Sequence, residues 1–317
     1  MNLIRIFVIL EPMKNVIEVK KLVKKYGKLS AVNNISFVVQ KGEVFGLLGE
    51  NGAGKTTTLE VIEGLRKPTS GKISVLGHDI KHGINSIKQK IGVQLQSSAY
   101  YSFLTLNEIL SLFCSFYPTC VKPKDLLEMV DLTDKANAFV NNLSGGQRQR
   151  FSIIASLVND PEIVFLDEPT TGLDPLARRN LWGIISKIKA QKKTIILTTH
   201  YMEEAEVLCD HVAIMEKGKI LAIDETHKLI EKARNPYVIK FIAKNINKQI
   251  FKKISSYGEM SNVFGKEKLF ELRLKKQGDV NHALAYVQKL NPENLIVGSA
   301  TLEDVFIELT GRTILED

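Results

Sequence analysis

The stretch Gly49-Glu50-Asn51-Gly52-Ala53-Gly54-Lys55-Thr56-Thr57 constrains this chain more than any other feature. It fits the pattern G-x-x-x-x-G-K-[ST] and follows the apolar run Val44-Phe45-Gly46-Leu47-Leu48. That context is what the pattern demands: a buried strand, a glycine turn, then a helix start. The glycines let the backbone wrap a phosphate with no Cβ in the way. Successive N–H groups and a helix N-terminus then face the anion. Lys55 offers a point charge to the β- and γ-phosphates, and Thr56 offers a hydroxyl to Mg²⁺. An ordinary glycine turn would require neither the preceding strand nor the Lys-Thr pair.

Two further apolar runs, Ile163-Val164-Phe165-Leu166 and Thr194-Ile195-Ile196-Leu197-Thr198, are short, continuous and bounded by polar residues. This is how parallel strands buried on both faces read. Open parallel sheets bind ligands at the carboxyl ends of their strands, so three segments point to one site. Asp167-Glu168 follows the first run. Asp167 is placed to hold Mg²⁺, and Glu168 to orient or deprotonate an attacking water. Leu143-Ser144-Gly145-Gly146-Gln147 supplies a second anion-binding element. Ser144 there caps a helix expected to start near Arg148 and leaves free N–H groups beside two glycines. Taken singly, an acidic pair at a strand end is a solvated turn, and the 143–147 stretch is an N-capped helix.

Before the phosphate loop, Val16–Val19 and Ile35–Val39 read as strands, with turns at Tyr26-Gly27 and Lys41-Gly42. Residues 97–158 read as a helical insertion: Leu106, Ile109, Leu110 and Phe113 recur at helical spacing, as do Leu126, Leu127 and Val130. Pro118 and Pro123 interrupt it. Beyond residue 235 the pattern becomes a strand (Tyr237–Ile242), a helix (Ile246–Ser256), a hairpin (Glu259–Phe264 with Lys268–Leu274), a helix (Val280–Leu290) and a strand (Leu295–Val297). That order is the βαββαβ ferredoxin-like unit. A last helix, Thr301–Thr310, stops at Gly311. The expected division is an N-terminal extension (1–15) without packed structure, a nucleotide domain (16–234) and a small α+β domain (235–317). Met13 is a candidate start.

The chain carries no run of 18 apolar residues, so no helix is expected to span a bilayer. Leu3–Leu10 is too short and is interrupted by Arg5. The three cysteines, Cys114, Cys120 and Cys209, form neither a disulfide framework nor a zinc pattern, and point to a reducing cytosol. His78 and His82 lack further ligands for a metal. The net charge of +8 comes without a nucleic-acid module, which leaves an anionic membrane surface or plain lysine richness.

With these motifs in hand, the chain resembles the ATP-binding subunit of an ABC transporter. Six features occur in the family's order: Tyr26, the loop 49–57, Gln96, the signature 143–147, Asp167-Glu168 and His200. The likeness covers residues 16–225. It implies an α/β P-loop NTPase fold with an antiparallel β subdomain and a helical insertion. It also implies ATP and Mg²⁺ as ligands. Tyr26 would stack on adenine, and residues 49–57 would hold the phosphates. Gln96, favoured over Gln94 by spacing, would join Thr56 and Asp167 at the metal and sense a membrane partner. Glu168, His200 and Lys55 would be catalytic. Residues 143–147 would act in trans, and Asp174, in Gly172-Leu173-Asp174, would sit on the loop that crosses the dimer interface. Ala155 stands where many relatives have Arg, which puts no catalytic residue in doubt. Residues 95–118, 171–174 and 301–306 most resemble bacterial exporters.

The implied protein is an Mg-dependent ATPase that works as a dimer, homo- or heteromeric, on separate integral-membrane permease chains. It would sit peripherally on the cytoplasmic face of the membrane and take no nucleic acid. The alternatives are an ABC-type ATPase not coupled to transport, an importer subunit, and a partner subunit that binds ATP without turning it over.

Overall fold

The computed structural model describes residues 14–96, 100–243, 246–262 and 269–311. The chain divides into two compact units, Met1–Ile223 and Asp224–Asp317. The boundary falls earlier than residue 234, where the sequence placed it. The reason is a short helix, Thr226–Glu231, that the sequence reading left unassigned and that packs within the second unit. Residues 1–13 of the expected extension lie outside the described residues, and Asn15 already opens a strand.

In chain order the first unit contains β1 (Asn15–Tyr26), β2 (Leu29–Gln40), β3 (Val44–Leu48), α1 (Lys55–Ile62), β4 (Ser70–Val75), β5 (His78–Asp79), α2 (Ile84–Lys88) and β6 (Ile91–Gln94). It continues with α3 (Leu106–Cys114), α4 (Pro123–Met129), α5 (Gly145–Ala155), β7 (Ile163–Asp167), α6 (Pro175–Ala190), β8 (Thr194–Thr199), α7 (Met202–Leu208), β9 (His211–Glu216) and β10 (Lys219–Glu225), whose last two residues fall past the boundary. Two sheets result. One is antiparallel, in the order β2-β1-β4-β5; the other runs β10-β9-β3-β8-β7-β6. Within the second, β9, β3, β8, β7 and β6 are parallel, with Leu48 opposite Thr199 and Asp167 opposite Thr198.

The residue patterns explain the two kinds of sheet. Every residue of β3, β7 and β8 is buried, as continuous apolar runs between covered faces require. Along β2, Ile35, Phe37 and Val39 point inward while Ser36 and Val38 face out, the alternation of a sheet wet on one side. Strands β1 and β2 are both longer than their apolar stretches. Lysines carry β1 on to a hairpin at Tyr26-Gly27, with Tyr26 opposite Leu29. One apolar core joins Ile17, Val32 and Phe37 of the antiparallel sheet to Leu59 and Ile62 of α1 and to Phe45, Phe165 and Ile196 of the parallel sheet. Each large side chain fully buried in this way contributes about 1.5–3 kcal/mol.

The helical insertion follows its caps. Thr105 and Glu108 form a reciprocal capping box at the start of α3, and Pro123 occupies the first turn of α4, where its missing N–H costs nothing. Leu106, Ile109 and Leu110 bury one face of α3, and Leu126 and Leu127 bury one face of α4. The sequence expectation that the cysteines make no disulfide is corrected here. Cys114 at the end of α3 and Cys120 are bonded, with Cα atoms 5.3 Å apart. The chain reverses over the six residues after α3, and that reversal faces the two thiols toward each other. Cys209 is free and buried.

The second unit comprises α8 (Thr226–Glu231), β11 (Tyr237–Ile242), α9 (Lys248–Ser255), β12 (Glu259–Asn262), β13 (Leu269–Leu274), α10 (Gln277–Gln288), β14 (Glu293–Ser299) and α11 (Leu302–Thr310). Its sheet order is β12-β13-β11-β14, antiparallel throughout, the split βαββαβ arrangement. Ile239, Phe241, Ile254, Leu272, Leu274, Ala283 and Val287 are fully enclosed in its core. Thr301 and Asp304 cap α11, and Gly311 closes it in the left-handed conformation at φ 69°. The hairpin residues 263–268 lie outside the described part.

Candidate active site at three strand ends

The parallel sheet sets β3, β8 and β7 side by side, so the residues after Leu48, Thr199 and Leu166 emerge at one edge. The loop 49–54 leaves β3 and opens α1 at Lys55. Gly54 is left-handed at φ 100°, and a Cβ there would meet the Ala31 carbonyl of β2 at 2.4 Å. Strand β2 therefore presses against the loop and requires glycine. Gly52, at φ 81°, has no atom within 4 Å of an added Cβ, so its side of the loop is open. Asn51 and Gly52 are exposed, whereas Ala53 and Lys55 are buried. Ala53 donates its N–H to the Glu50 carbonyl at 3.1 Å, and Thr57 follows on the first turn of α1.

Lys55 Nζ donates to the Gly49 carbonyl at 2.8 Å and the Glu50 carbonyl at 3.2 Å, and lies 3.2 Å from Glu168 Oε1. Burial pushes its pKa down, against the pull of Glu168. Thr56 Oγ1 donates to Asp167 Oδ1 at 3.1 Å, and Thr198 Oγ1 donates to the same oxygen at 2.5 Å. Burial raises the Asp167 pKa while these hydroxyls oppose the rise. Glu168 adopts φ 47°, rare for a residue with a side chain. Its N–H donates to Thr198 Oγ1 at 2.9 Å, which holds that turn. Its carboxylate gathers His200 Nδ1 at 3.5 Å on Oε1, with Thr171 Oγ1 at 3.2 Å and Gln96 Nε2 at 3.4 Å on Oε2. The approach of His200 is the largest cause that holds Glu168 down at about 2; burial opposes it and Lys55 adds to it. His200 Nδ1 is buried and stands 3.5 Å from Glu168 Oε1, just beyond a formed hydrogen bond.

The structure thus brings Lys55, Thr56, Gln96, Asp167, Glu168 and His200 to one point. Gln94 instead sits buried in β6 and bonds the Leu95 carbonyl. Other expected residues lie on separate elements. Tyr26 ends β1, 40% exposed, with Lys24 and Arg66 over its ring at 4.8 and 5.7 Å. The signature helix α5 begins at Gly145, three residues before the expected start, because Ser144 caps it directly. Ser144 Oγ accepts from Gln147 N at 3.3 Å, and Gln147 Oε1 accepts from Ser144 N at 2.9 Å. Leu143 anchors the loop in the interior, while Ser144 and Gly145 are exposed. A Cβ added to Gly146 would stand 3.4 Å from the Ala177 Cβ of α6. Asp174 caps that helix by accepting from Leu176 N and Ala177 N at 3.0 and 2.9 Å.

Sequence reasoning missed Thr198 and Thr171, which hold the carboxylates. The paired threonines before His200 were the available signal. It also missed Glu63 at the end of α1, 2% exposed, with neither carboxylate oxygen hydrogen-bonded. Burial first, then repulsion from Asp167 and Glu60, raises Glu63 to about 8.

With this geometry established, comparison with known proteins decides the family. The family described as ABC transporter matches residues 32–171. The "Nod factor export ATP-binding protein I" of Burkholderia lata is 37% identical over 308 residues, covering 93% of this chain and 97% of that protein. The chain belongs to the ABC transporter family. The "Linearmycin resistance ATP-binding protein LnrL" of Bacillus subtilis is 35% identical, covering 94% of this chain and 99% of that protein. Among solved structures, an ATP-binding subunit of an ABC transporter aligns with a TM-score of 0.61 at 31% identity, over 68% of this chain and 91% of that one. A dimeric ATP-binding cassette in a post-hydrolysis state, bound to ADP and Pi, aligns at 0.60 and 26% identity, over 66% and 98%. The chain is accordingly an ATP-binding, ATP-hydrolysing cassette of this family, an α/β P-loop fold carrying an antiparallel sheet and a helical insertion.

Proposed function

We propose that this ATPase powers export through separate membrane-spanning subunits, closing as a dimer around two nucleotides and reopening after hydrolysis. The observation that carries the reading is the convergence of Lys55, Glu168 and His200, beside the Thr56–Asp167 pair, on the edge where the loop 49–54 opens. Lys55 and the loop amides would cradle the phosphates. Glu168, kept ionised far below neutral pH, would accept the proton of an attacking water. His200 would contact the γ-phosphate, Tyr26 would stack on adenine, and Asp174 would lie on the loop between copies.

The donor set fits Mg²⁺. Thr56 and Asp167 present hard oxygens on one spot, and Gln96 donates to Glu168, the neighbour of Asp167. Among the described residues no group of three His, Cys, Asp or Glu could hold a metal alone. Mg²⁺ takes one or two protein oxygens and completes its shell with phosphates and water, so two are enough. Charge neutralisation at the phosphate oxygens is the chemistry it supplies when bound.

Ser144 engages its own polar groups in a capping box, and the first-turn amides beside it, on exposed Gly145, have no intrahelical partner. These amides would face the γ-phosphate held by a second copy. Among the described residues no helix is long and apolar enough to cross a membrane, which supports permeases on other chains and peripheral attachment at the cytoplasmic face. The export and resistance names of the relatives support the direction of transport. The test is Mg-dependent phosphate release by purified protein, alone and co-purified with its membrane partner. Stimulated turnover in the complex is expected; absence of nucleotide affinity in Mg²⁺ would sink the proposal.

A further inference from the structure

Tyr201 follows His200 and precedes α7, with its backbone N–H fixed on Thr199 Oγ1 at 2.9 Å. Its ring lies against the His200 ring, centroids 4.1 Å apart. On the same ring sits the Arg178 guanidinium, 4.0 Å from the centroid. The Nε of Arg178 is buried and makes no hydrogen bond; the guanidinium lies face-on to the ring and its charge also acts on Glu204 of α7. Arg178 stands on the first turn of α6, the helix capped by Asp174, and its N–H donates to the Asp174 carbonyl at 2.9 Å. One turn further along, Trp182 Nε1 donates to the buried Glu204 on α7 at 3.2 Å. The helix that begins at Asp174 and the segment that carries His200 are therefore tied at two points. The first of them touches His200 itself.

We propose that Tyr201 is a positioning residue for His200, clamped by Arg178. Through this stack the placement of the Asp174 loop fixes the aim of the histidine. Movement of the loop when a second copy docks would shift α6, and the stack would carry the shift to His200. The inference rests on the reading that His200 acts on the bound nucleotide.

Tyr201→Leu removes the ring that aims His200 and should lower kcat about tenfold. The KM for ATP should stay within about twofold, because the loop 49–54 is untouched. Tyr201→Phe keeps the aromatic face and should restore turnover, and Arg178→Leu should match Tyr201→Leu. In a His200→Ala background, Tyr201→Leu should cost nothing further, since its effect passes through that ring. The emission of Trp182, the single tryptophan, should be unchanged in Tyr201→Phe and Arg178→Leu, showing that α6 still packs on α7. Wild-type kcat in Tyr201→Leu, failure of Tyr201→Phe to recover, or an additive loss in the double variant each overturns the positioning role. Wild-type turnover in His200→Ala alone would instead remove the assignment of His200 on which the proposal stands.

Discussion

Lys55, Glu168 and His200 meet at 3.2 and 3.5 Å in buried surroundings, whereas Ser144 commits its hydroxyl and its amide to Gln147 on an exposed loop. One region is a dense cluster of opposed charges whose members depend on each other. The other is satisfied within five residues and offers only helix-terminal amides. Buried charges demand partners, and here they find them within one chain. Exposed amides await an anion that this loop does not itself hold. On the proposed reading, each copy would hold half of a composite site: charge and chemistry for its own nucleotide, and orientation for its neighbour's.

Four substitutions can break or sharpen that contrast. The largest effect is expected for Glu168→Gln. It should bind ATP but lower turnover about 10²–10³-fold, the usual loss for one transition-state group, and trap the dimer in size-exclusion runs with ATP. Unimpaired phosphate release would remove the assigned base. Next is Ser144→Arg, which should abolish steady-state hydrolysis, about 10²-fold or more, yet leave ATP affinity of the monomer unchanged in a fluorescence titration. A parallel loss of affinity would place the loop at the same nucleotide as Lys55 and end the two-halves picture.

Glu63→Gln probes the electrostatic strain behind the buried cluster. In the folded chain Glu63 titrates at about 8, against 4.5 for the free side chain. Between those values the folded state holds a proton that the unfolded state has released. Stability therefore falls as pH rises through that window, by up to about 1.4 kcal/mol per unit. The Tm advantage of Glu63→Gln over wild type should grow from pH 5 to pH 8; a flat difference would show that Glu63 titrates normally. The smallest effect belongs to Ser144→Ala. Loss of the cap should cost about 1 kcal/mol in urea unfolding, with only a modest change in turnover, because the amides of α5 remain. A loss of turnover as deep as that of Ser144→Arg would mean that the hydroxyl itself does the work.

Much of this was legible in the residue order. The runs 44–48, 163–166 and 194–198 read as buried parallel strands because apolar residues continue without alternation, and their polar ends located the site. The βαββαβ order of residues 235–317 followed from helical and strand periodicities that differ clearly. Other features were hidden. The Cys114–Cys120 bond needed the chain reversal after α3, which no spacing rule specifies. Helix α8 is six residues with two buried side chains, too short to show a period. Thr198 read as one more strand residue until β7 was placed beside β8, and Glu63, at the end of α1, is buried only in the folded chain.

The sequence by itself determined the phosphate loop, the carboxylate pair and the capped signature helix, because each is a local arrangement whose backbone chemistry is complete within nine residues or fewer. The tertiary structure alone decided that Lys55, Asp167, Glu168 and His200 share one point and that Arg178 reaches the ring beside His200. Contacts between residues 23 to 113 positions apart in the chain depend on strand order and on the packing of helices, and neither is written in any single segment.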